Sequence, residues 1–344
     1  MDNRFCQVAA PSAIYIYMRT VALGDKGMRS SVLGFGCSSA LGRVGRKDSL
    51  AAMGAAYQAG ITFFDTARSY GYGESEGLLG EFLQGRRDSV VISTKFGILP
   101  ARSNILKRPL KPLARRLIQM APFLRRAARG HIAAQFSTGH FSVAALHQSL
   151  ASSLSALRTD YVDMLFMHEP PANVLQQDDL LEALERLVTE GKIRRYGVAS
   201  HPKVVGFALD AGFQTLQFPC NLFDLGVARM FGGHGSDVVA IANHPFGGGQ
   251  RIAEDKALLT SIALYPNAPA SLREKLRTVN NAVLADVVLN AITHNTGVQI
   301  VVPSMMQLDH LRTNVAAIEQ SRFSSEELQW LCHAIARHNH PAEL

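Results

Sequence analysis

Short apolar runs rich in β-branched and aromatic residues alternate with amphipathic stretches along nearly the whole chain. "SVLGFGC" (31–37), "ITFFD" (61–65), "SVVISTK" (89–95) and "YVDMLFMH" (161–168) read as strands, as do "IRRYGVAS" (193–200), "FQTLQF" (213–218), "DVVAIA" (237–242) and "VQIVVP" (298–303). Between them the apolar residues change to helical spacing. Leu146, Leu150, Leu154 and Leu157 mark one helix over 142–157, and Leu78, Leu79, Phe82 and Leu83 give 74–85 an apolar face. Further helices are predicted over 47–60 and 179–191. Runs that are apolar on both faces, each followed by a helix, predict a parallel sheet covered throughout. Eight such units predict an α/β fold of the (β/α)8 TIM-barrel kind, with long loops at the C-terminal face.

Two segments break the rhythm. Residues 96–140 hold Pro100, Pro109, Pro112 and Pro122 and are too long for a simple connection; 243–271, rich in Gly, Pro and Asn, read as a second long loop. Both follow strand ends, where the catalytic loops of a barrel lie, so both are candidate lids. Residues 1–17 carry a short apolar patch behind one basic residue, a poor match to a secretory signal. They are expected to be a peripheral N-terminal extension to a single barrel domain over 18–344.

Composition changes this picture only locally. The chain has 344 residues, 47% hydrophobic and 18% charged, enough for a substantial core. Its net charge of +7 belongs to one segment: between Asp88 and Asp160 there is no Asp or Glu but there are eleven Lys and Arg, so the remainder is mildly acidic. That argues against a nucleic-acid surface spread over the protein. The basic stretch reads either as a solvated surface insertion or as a cover for an anionic carbonyl substrate; it carries no membrane or nucleic-acid binding motif. Four scattered cysteines, Cys6, Cys37, Cys220 and Cys332, lack CxxC spacing and fit a reducing compartment. No apolar run approaches the roughly 20 residues that span a bilayer, and a cytoplasmic protein is expected. The histidines near the C-terminus, His333, His338 and His340, have no metal-ligand spacing, and no metal site is expected.

The chemistry gathers at strand ends. Asp65 closes "ITFF", Lys95 closes "VVIST" and His168 closes "MLFM", while Tyr70 and Tyr72 lie one short loop beyond Asp65. Each alone has a bland reading: a helix cap, a solvated lysine, a packed histidine. Together at one barrel mouth they make general acid–base equipment for a carbonyl/alcohol pair. A tyrosine hydroxyl, with a reference pKa of about 10, needs a neighbouring ammonium to favour its phenolate, and a carboxylate can hold that lysine.

"FFDTARSYGYGESEGLLG", "VVISTKFG", "DMLFMHEP" and "GKIRRYGVAS" resemble, in order, the signature segments of the aldo-keto reductases, a likeness running from about Val21 to Asn314. The resemblance implies a (β/α)8 barrel that binds NADP(H) or NAD(H) extended, without a Rossmann fold. It implies Tyr70 as proton donor and acceptor, Lys95 lowering its pKa, Asp65 holding Lys95, and His168 orienting the carbonyl. Tyr72 falls outside the pattern and is read as pocket lining or packing. It also implies cofactor contacts at Gly36 and Cys37, at Ser200, and at Gln217 and Asn221 of "LQFPCN". Others are implied at Asn243 and Pro245, at Gly247 to Gly249, and at Ser304, His310 and Asn314 for the adenosine end. Three departures matter. Ala199 and Ser200 replace the usual Ser-Asn, Asn243 replaces the aromatic that stacks on nicotinamide, and the tail lacks the basic residues usual for a 2′-phosphate, which makes NADH as plausible as NADPH. The implied activity is hydride transfer to or from an aldehyde, ketone or sugar, with some likeness to the aldose dehydrogenases. The alternatives are a non-catalytic NAD(P)H-binding regulator on the same fold, or an elimination or epimerisation enzyme with retained cofactor.

Overall fold

Eight parallel strands form one sheet that closes on itself: β1 (Gly34–Gly36), β2 (Phe63–Asp65), β3 (Val91–Phe96), β4 (Val162–His168), β5 (Ile193–Ala199), β6 (Thr215–Pro219), β7 (Val239–Asn243) and β8 (Val298–Val302). Each pairs with its neighbour in sequence. The seam between β8 and β1 is sealed by a parallel Leu33–Val301 bridge and by the Gly36 amide, which donates to the Pro303 carbonyl at 3.0 Å. The computed structural model describes residues 18–24, 27–41, 44–100, 136–235, 237–294 and 296–339. The expected extension 1–17 and residues 101–135 of the basic stretch lie outside them.

Helices follow the strands: α1 (Arg46–Gln58), α2 (Ser75–Phe82), α3 (Val143–Leu157), α4 (Asp178–Thr189), α5 (Pro202–Asp210), α6 (Leu225–Arg229) and α7 (Gly249–Ala263). Then come α8 (Ala270–Lys275), α9 (Asn281–Thr293), α10 (Leu308–Glu319) and α11 (Ser325–Asn339). The starts have local causes. The Ser142 hydroxyl accepts from the Ala145 amide ahead of α3, and the Asn280 side chain accepts from the Ala282 and Val283 amides ahead of α9. Among the described residues no helix is long and apolar enough to cross a membrane.

The second long loop expected at 243–271 is instead mostly helix. Its glycines are confined to the entry turn of α7, and beyond them Leu258, Leu259 and Ile262 face the core. Gly and Pro count misled because those residues sit at the ends of the helix, where they cap and stop it. The base of the first insertion is closed by a two-residue antiparallel pairing of Leu99–Pro100 with Phe136–Ser137.

Alternation along each strand divides two cores. Outward-facing Phe64, Ile92, Leu165, Leu216, Ala240 and Val301 pack under the helices. Inward-facing Phe63, Val91, Met164, Phe166, Val239, Ile241 and Ile300 fill the lower barrel, which Leu23 and Met28 of an N-terminal hairpin plug from below. A hollow of about 420 Å³ near that closed end, bounded by Met28, Val188, Arg194 and Arg195, contains none of the strand-end polar residues. Strand spacing also depends on Gly197 in β5, where an added Cβ would lie 1.8 Å from the Thr215 carbonyl oxygen. Gly197→Ala is therefore expected to destabilise the protein by about 1–3 kcal/mol or more, read as a lowered midpoint in urea unfolding.

Candidate active site

The inward register that is apolar at the bottom of the barrel turns polar at the top. Phe63 is followed two residues later by Asp65, Val91 by Ser93 and Lys95, Met164 and Phe166 by His168, and Ile241 by Asn243. With a side-chain period of two, these polar groups must share the interior with the core beneath them. A strand can finish on Asp65 because its charge is met there. Lys95 Nζ lies 2.7 and 2.8 Å from the two Asp65 oxygens, Ser93 Oγ donates at 2.7 Å and Gln217 Nε2 at 2.9 Å. Both Asp65 and Lys95 are buried.

Lys95 is fixed by its donors. Besides Asp65 it donates to the Thr66 carbonyl at 2.9 Å and hydrogen-bonds the Tyr70 hydroxyl. Its ammonium also lies 4.7 Å from the centre of the Tyr70 ring. Burial works against the Lys95 charge, but Asp65 and Tyr70 outweigh it and hold the pKa above the usual lysine value. Tyr70 is raised: burial dominates, Lys95 pulls the phenol down, and Asp65 adds to the rise. The sequence expectation of a phenol made acidic by Lys95 thus meets a larger opposing effect of burial, and Tyr70 rests as the neutral phenol beside an ammonium. His168 stands edge-on to Tyr70, ring centres 6.1 Å apart. Burial, helped by Lys95, lowers its pKa to about 3, so the imidazole is neutral.

Two buried atoms here lack a partner among the described residues. Gln217 Oε1 and His168 Nδ1 are unsatisfied, although Gln217 Nε2 is anchored on Asp65. Such orphans carry a desolvation cost until a ligand meets them, and a primary carboxamide suits the Gln217 oxygen. Next to Gln217, buried Ser200 donates its hydroxyl to Glu169 at 2.8 Å. Beyond β7, Gly247 and Gly248 adopt φ of +56° and +103° and expose the start of α7, a backbone geometry suited to approach by an anion. These features fit a nicotinamide dinucleotide.

The other sequence candidates behave differently. Asn221 uses both ends of its amide in its own turn, donating to Asp224 at 2.8 Å and accepting from the Phe223 amide at 2.9 Å. Gly36 gives its amide to the barrel seam. The Cys37 side chain is buried, and desolvation reinforced by Asp65 lifts its thiol far above the usual value. Pro245 is buried behind an exposed turn, and Asn243 is half-buried with its oxygen 2.9 Å from His244 Nδ1. Ser304 and His310 are exposed, Ser304 sharing a 2.9 Å hydrogen bond with Ser39, while Asn314 is buried. Tyr72 is 43% exposed, so the packing reading does not hold.

The fold brings in several residues that are not among the sequence candidates. Glu76 is a buried carboxylate on α2 that accepts from Thr94 Oγ1 at 2.6 Å and braces β3 from outside. Arg251, in the first turn of α7, lies against Gly247. Glu169 and His244 follow strand-end residues directly; a polar residue one step past a strand end was the available signal.

The sequence pattern of the Aldo/keto reductase family matches residues 32–335, and the chain belongs to that family. It is 30% identical over 190 residues to the L-galactose dehydrogenase of Arabidopsis thaliana, covering 53% of this chain and 48% of that one. It is 32% identical over 186 residues to the D-threo-aldose 1-dehydrogenase of Pseudomonas sp, covering 52% and 53%. The chain thus spans about half the length of the curated relatives it matches. In fold it is similar to the holo form of an aldo-keto reductase from Bacillus halodurans, with a TM-score of 0.65 and 22% identity over 92% of this chain and 96% of that one.

Proposed function

We propose that this protein is an NAD(P)-dependent oxidoreductase that moves hydride between nicotinamide and the carbonyl or alcohol carbon of a small aldehyde, ketone or sugar. The observation that carries this reading is the Asp65–Lys95–Tyr70 chain, with a neutral His168 edge-on to the phenol at the barrel mouth. In reduction, the Tyr70 hydroxyl gives its proton to the carbonyl oxygen, and the neutral His168 donates a hydrogen bond that orients that oxygen. In oxidation the Tyr70 phenolate takes the alcohol proton, and the Lys95 ammonium stabilises the charge meanwhile. The bound cofactor supplies or accepts the hydride. Gln217 and Ser200 would hold its carboxamide, and the turn at Gly247 and Gly248 with Arg251 its pyrophosphate.

Likeness to two sugar dehydrogenases supports oxidation of an aldose as the working direction, and the three described cysteines, all free thiols, are in keeping with a cytoplasmic setting. The test is stoichiometric reduction of NAD+ or NADP+ against a panel of aldoses, with aldehydes and ketones tested in reverse. Cofactor binding without turnover of any panel member would overturn the reading.

Cofactor choice follows from the tail. Met305 and Met306, where the family often carries basic residues, are turned into the core, and exposed Arg312 pairs with Asp309 at 3.5 Å. A missing charge-assisted bond to the 2′-phosphate removes about 1.5–3 kcal/mol, roughly tenfold to a hundredfold in affinity. Fluorescence titration is expected to give NADH and NADPH affinities within about tenfold of one another. A hundredfold preference for NADPH would refute it.

A further inference from the structure

Glu169 follows His168 with φ of +53°, a conformation uncommon outside glycine. The turn folds the residue back onto the end of β5. Its amide donates to the Ala199 carbonyl at 2.9 Å, and its carboxylate accepts from Ser200 Oγ at 2.8 Å. Ala199 is in register with Gln217, and the Ser200 amide donates to the Gln217 carbonyl at 3.0 Å. Glu169, Ser200 and Gln217 therefore form one patch, with the unsatisfied Gln217 oxygen within it. Just past β7, His244 has φ of +52° and feels the charges of Asp65, Lys95 and Glu169, which places all four around the same mouth.

The charges there do not cancel. Asp65 and Lys95 neutralise each other at 2.7 Å. His168 is neutral, and His244, although its side chain reaches the surface, is lowered as well by partial desolvation. Among the described residues the Glu169 carboxylate makes no ion pair, Arg251 being engaged with Glu254 at 3.0 Å. The nicotinamide ring is a cation when oxidised and neutral when reduced, so a fixed carboxylate beside it acts on one form only.

Building on the function proposed above, we propose that Glu169, tethered by Ser200, selects the oxidised cofactor and biases the enzyme toward alcohol oxidation. It is a positioning and selecting residue that acts on the cofactor's charge and takes no part in the proton transfer. A unit charge several ångströms from the ring in partly hydrated surroundings changes affinity by roughly three- to thirtyfold.

The test is equilibrium binding to the purified full-length protein by titration calorimetry, using the oxidised and reduced forms of whichever of NAD and NADP binds tighter. Glu169→Gln, which keeps the shape and the acceptor for Ser200, is expected to weaken the oxidised form by roughly three- to thirtyfold and leave the reduced form and thermal melting unchanged. Glu169→Asp, which keeps the charge, is expected to retain the wild-type ratio of the two affinities. An unchanged ratio in Glu169→Gln, or the same loss in both variants, overturns the inference while the proposed function stands. Failure of the wild type to bind either form overturns both.

Discussion

Tyr70→Phe is expected to lower kcat by about 10²–10⁴-fold, the usual contribution of a positioned acid or base, with cofactor affinity unchanged. The substitution removes one oxygen and keeps the ring. The edge-on contact with His168 at 6.1 Å and the Lys95 ammonium at 4.7 Å from the ring centre survive it. Lys95 loses one hydrogen-bond partner but retains Asp65 and the Thr66 carbonyl, so the stability cost should be about 1 kcal/mol. A lost turnover with intact cofactor binding isolates the proton step. Unchanged turnover would mean that another group carries the proton. His168 is a poor substitute: with a pKa of about 3 its imidazole stays neutral across the neutral range, so it donates a hydrogen bond but does not exchange a proton there. The wild-type pH profile follows from the same chemistry. Burial lifts the Tyr70 phenol above its ordinary value, so the acid needed for reduction is fully present through the neutral range and is lost only as pH rises through that raised pKa. The phenolate needed for oxidation becomes more abundant over the same rise. Reduction should hold level and then fall on the alkaline side, while oxidation climbs.

The barrel was legible because its strands are buried on both sides, which leaves continuous apolar runs with few competing explanations. The eight predicted runs coincide with β1 to β8, although β1 and β2 are only three residues long; pairing across the seam and into the neighbouring strands, not length, sustains them. Asp65, Lys95 and His168 were legible for a related reason, and Tyr70 through the family resemblance. A charge on an inward position of a buried strand needs a partner, and Asp65, Lys95 and His168 are the points where the apolar register ends. What escaped was whatever depends on backbone turns after the strands. Glu169 and His244 reach the mouth through positive φ, which no periodicity reports; their place one step past a strand end was the only sign. The helix α7 escaped because glycines that open it resemble glycines that make a loop. The resemblance implies a cofactor contact at Asn221; only the positions of Phe223 and Asp224 reveal that its amide is engaged in its own turn. The net direction of the Tyr70 shift was equally hidden, since sequence supplies the neighbouring ammonium but not the depth at which the pair is buried.

Lys95→Met is expected to destabilise the protein by about 3–5 kcal/mol, the cost of leaving a buried charge without its partner. Asp65 is 4% exposed, and among the described residues it keeps, without Lys95, only the Ser93 hydroxyl and the Gln217 amide as side-chain donors. Asp65→Asn should do comparable harm by stranding the Lys95 ammonium. The double variant Asp65→Asn/Lys95→Met removes both charges, and its stability in urea is expected to return to within about 1 kcal/mol of wild type, because a buried pair stabilises little over its neutral replacement. Activity should not return with it. Losing the ammonium that stabilises the Tyr70 oxygen costs about 10²–10³-fold in kcat, whether or not the barrel is stable. Restored folding with absent turnover separates the two roles of Lys95: neutralising Asp65, which removing both charges makes unnecessary, and supporting the phenolate, which no neutral side chain at 95 can do. A double variant no more stable than the worse single one would mean that the cost arises from packing around β2 and β3, and that the ion pair is not what allows these strands to end on charge.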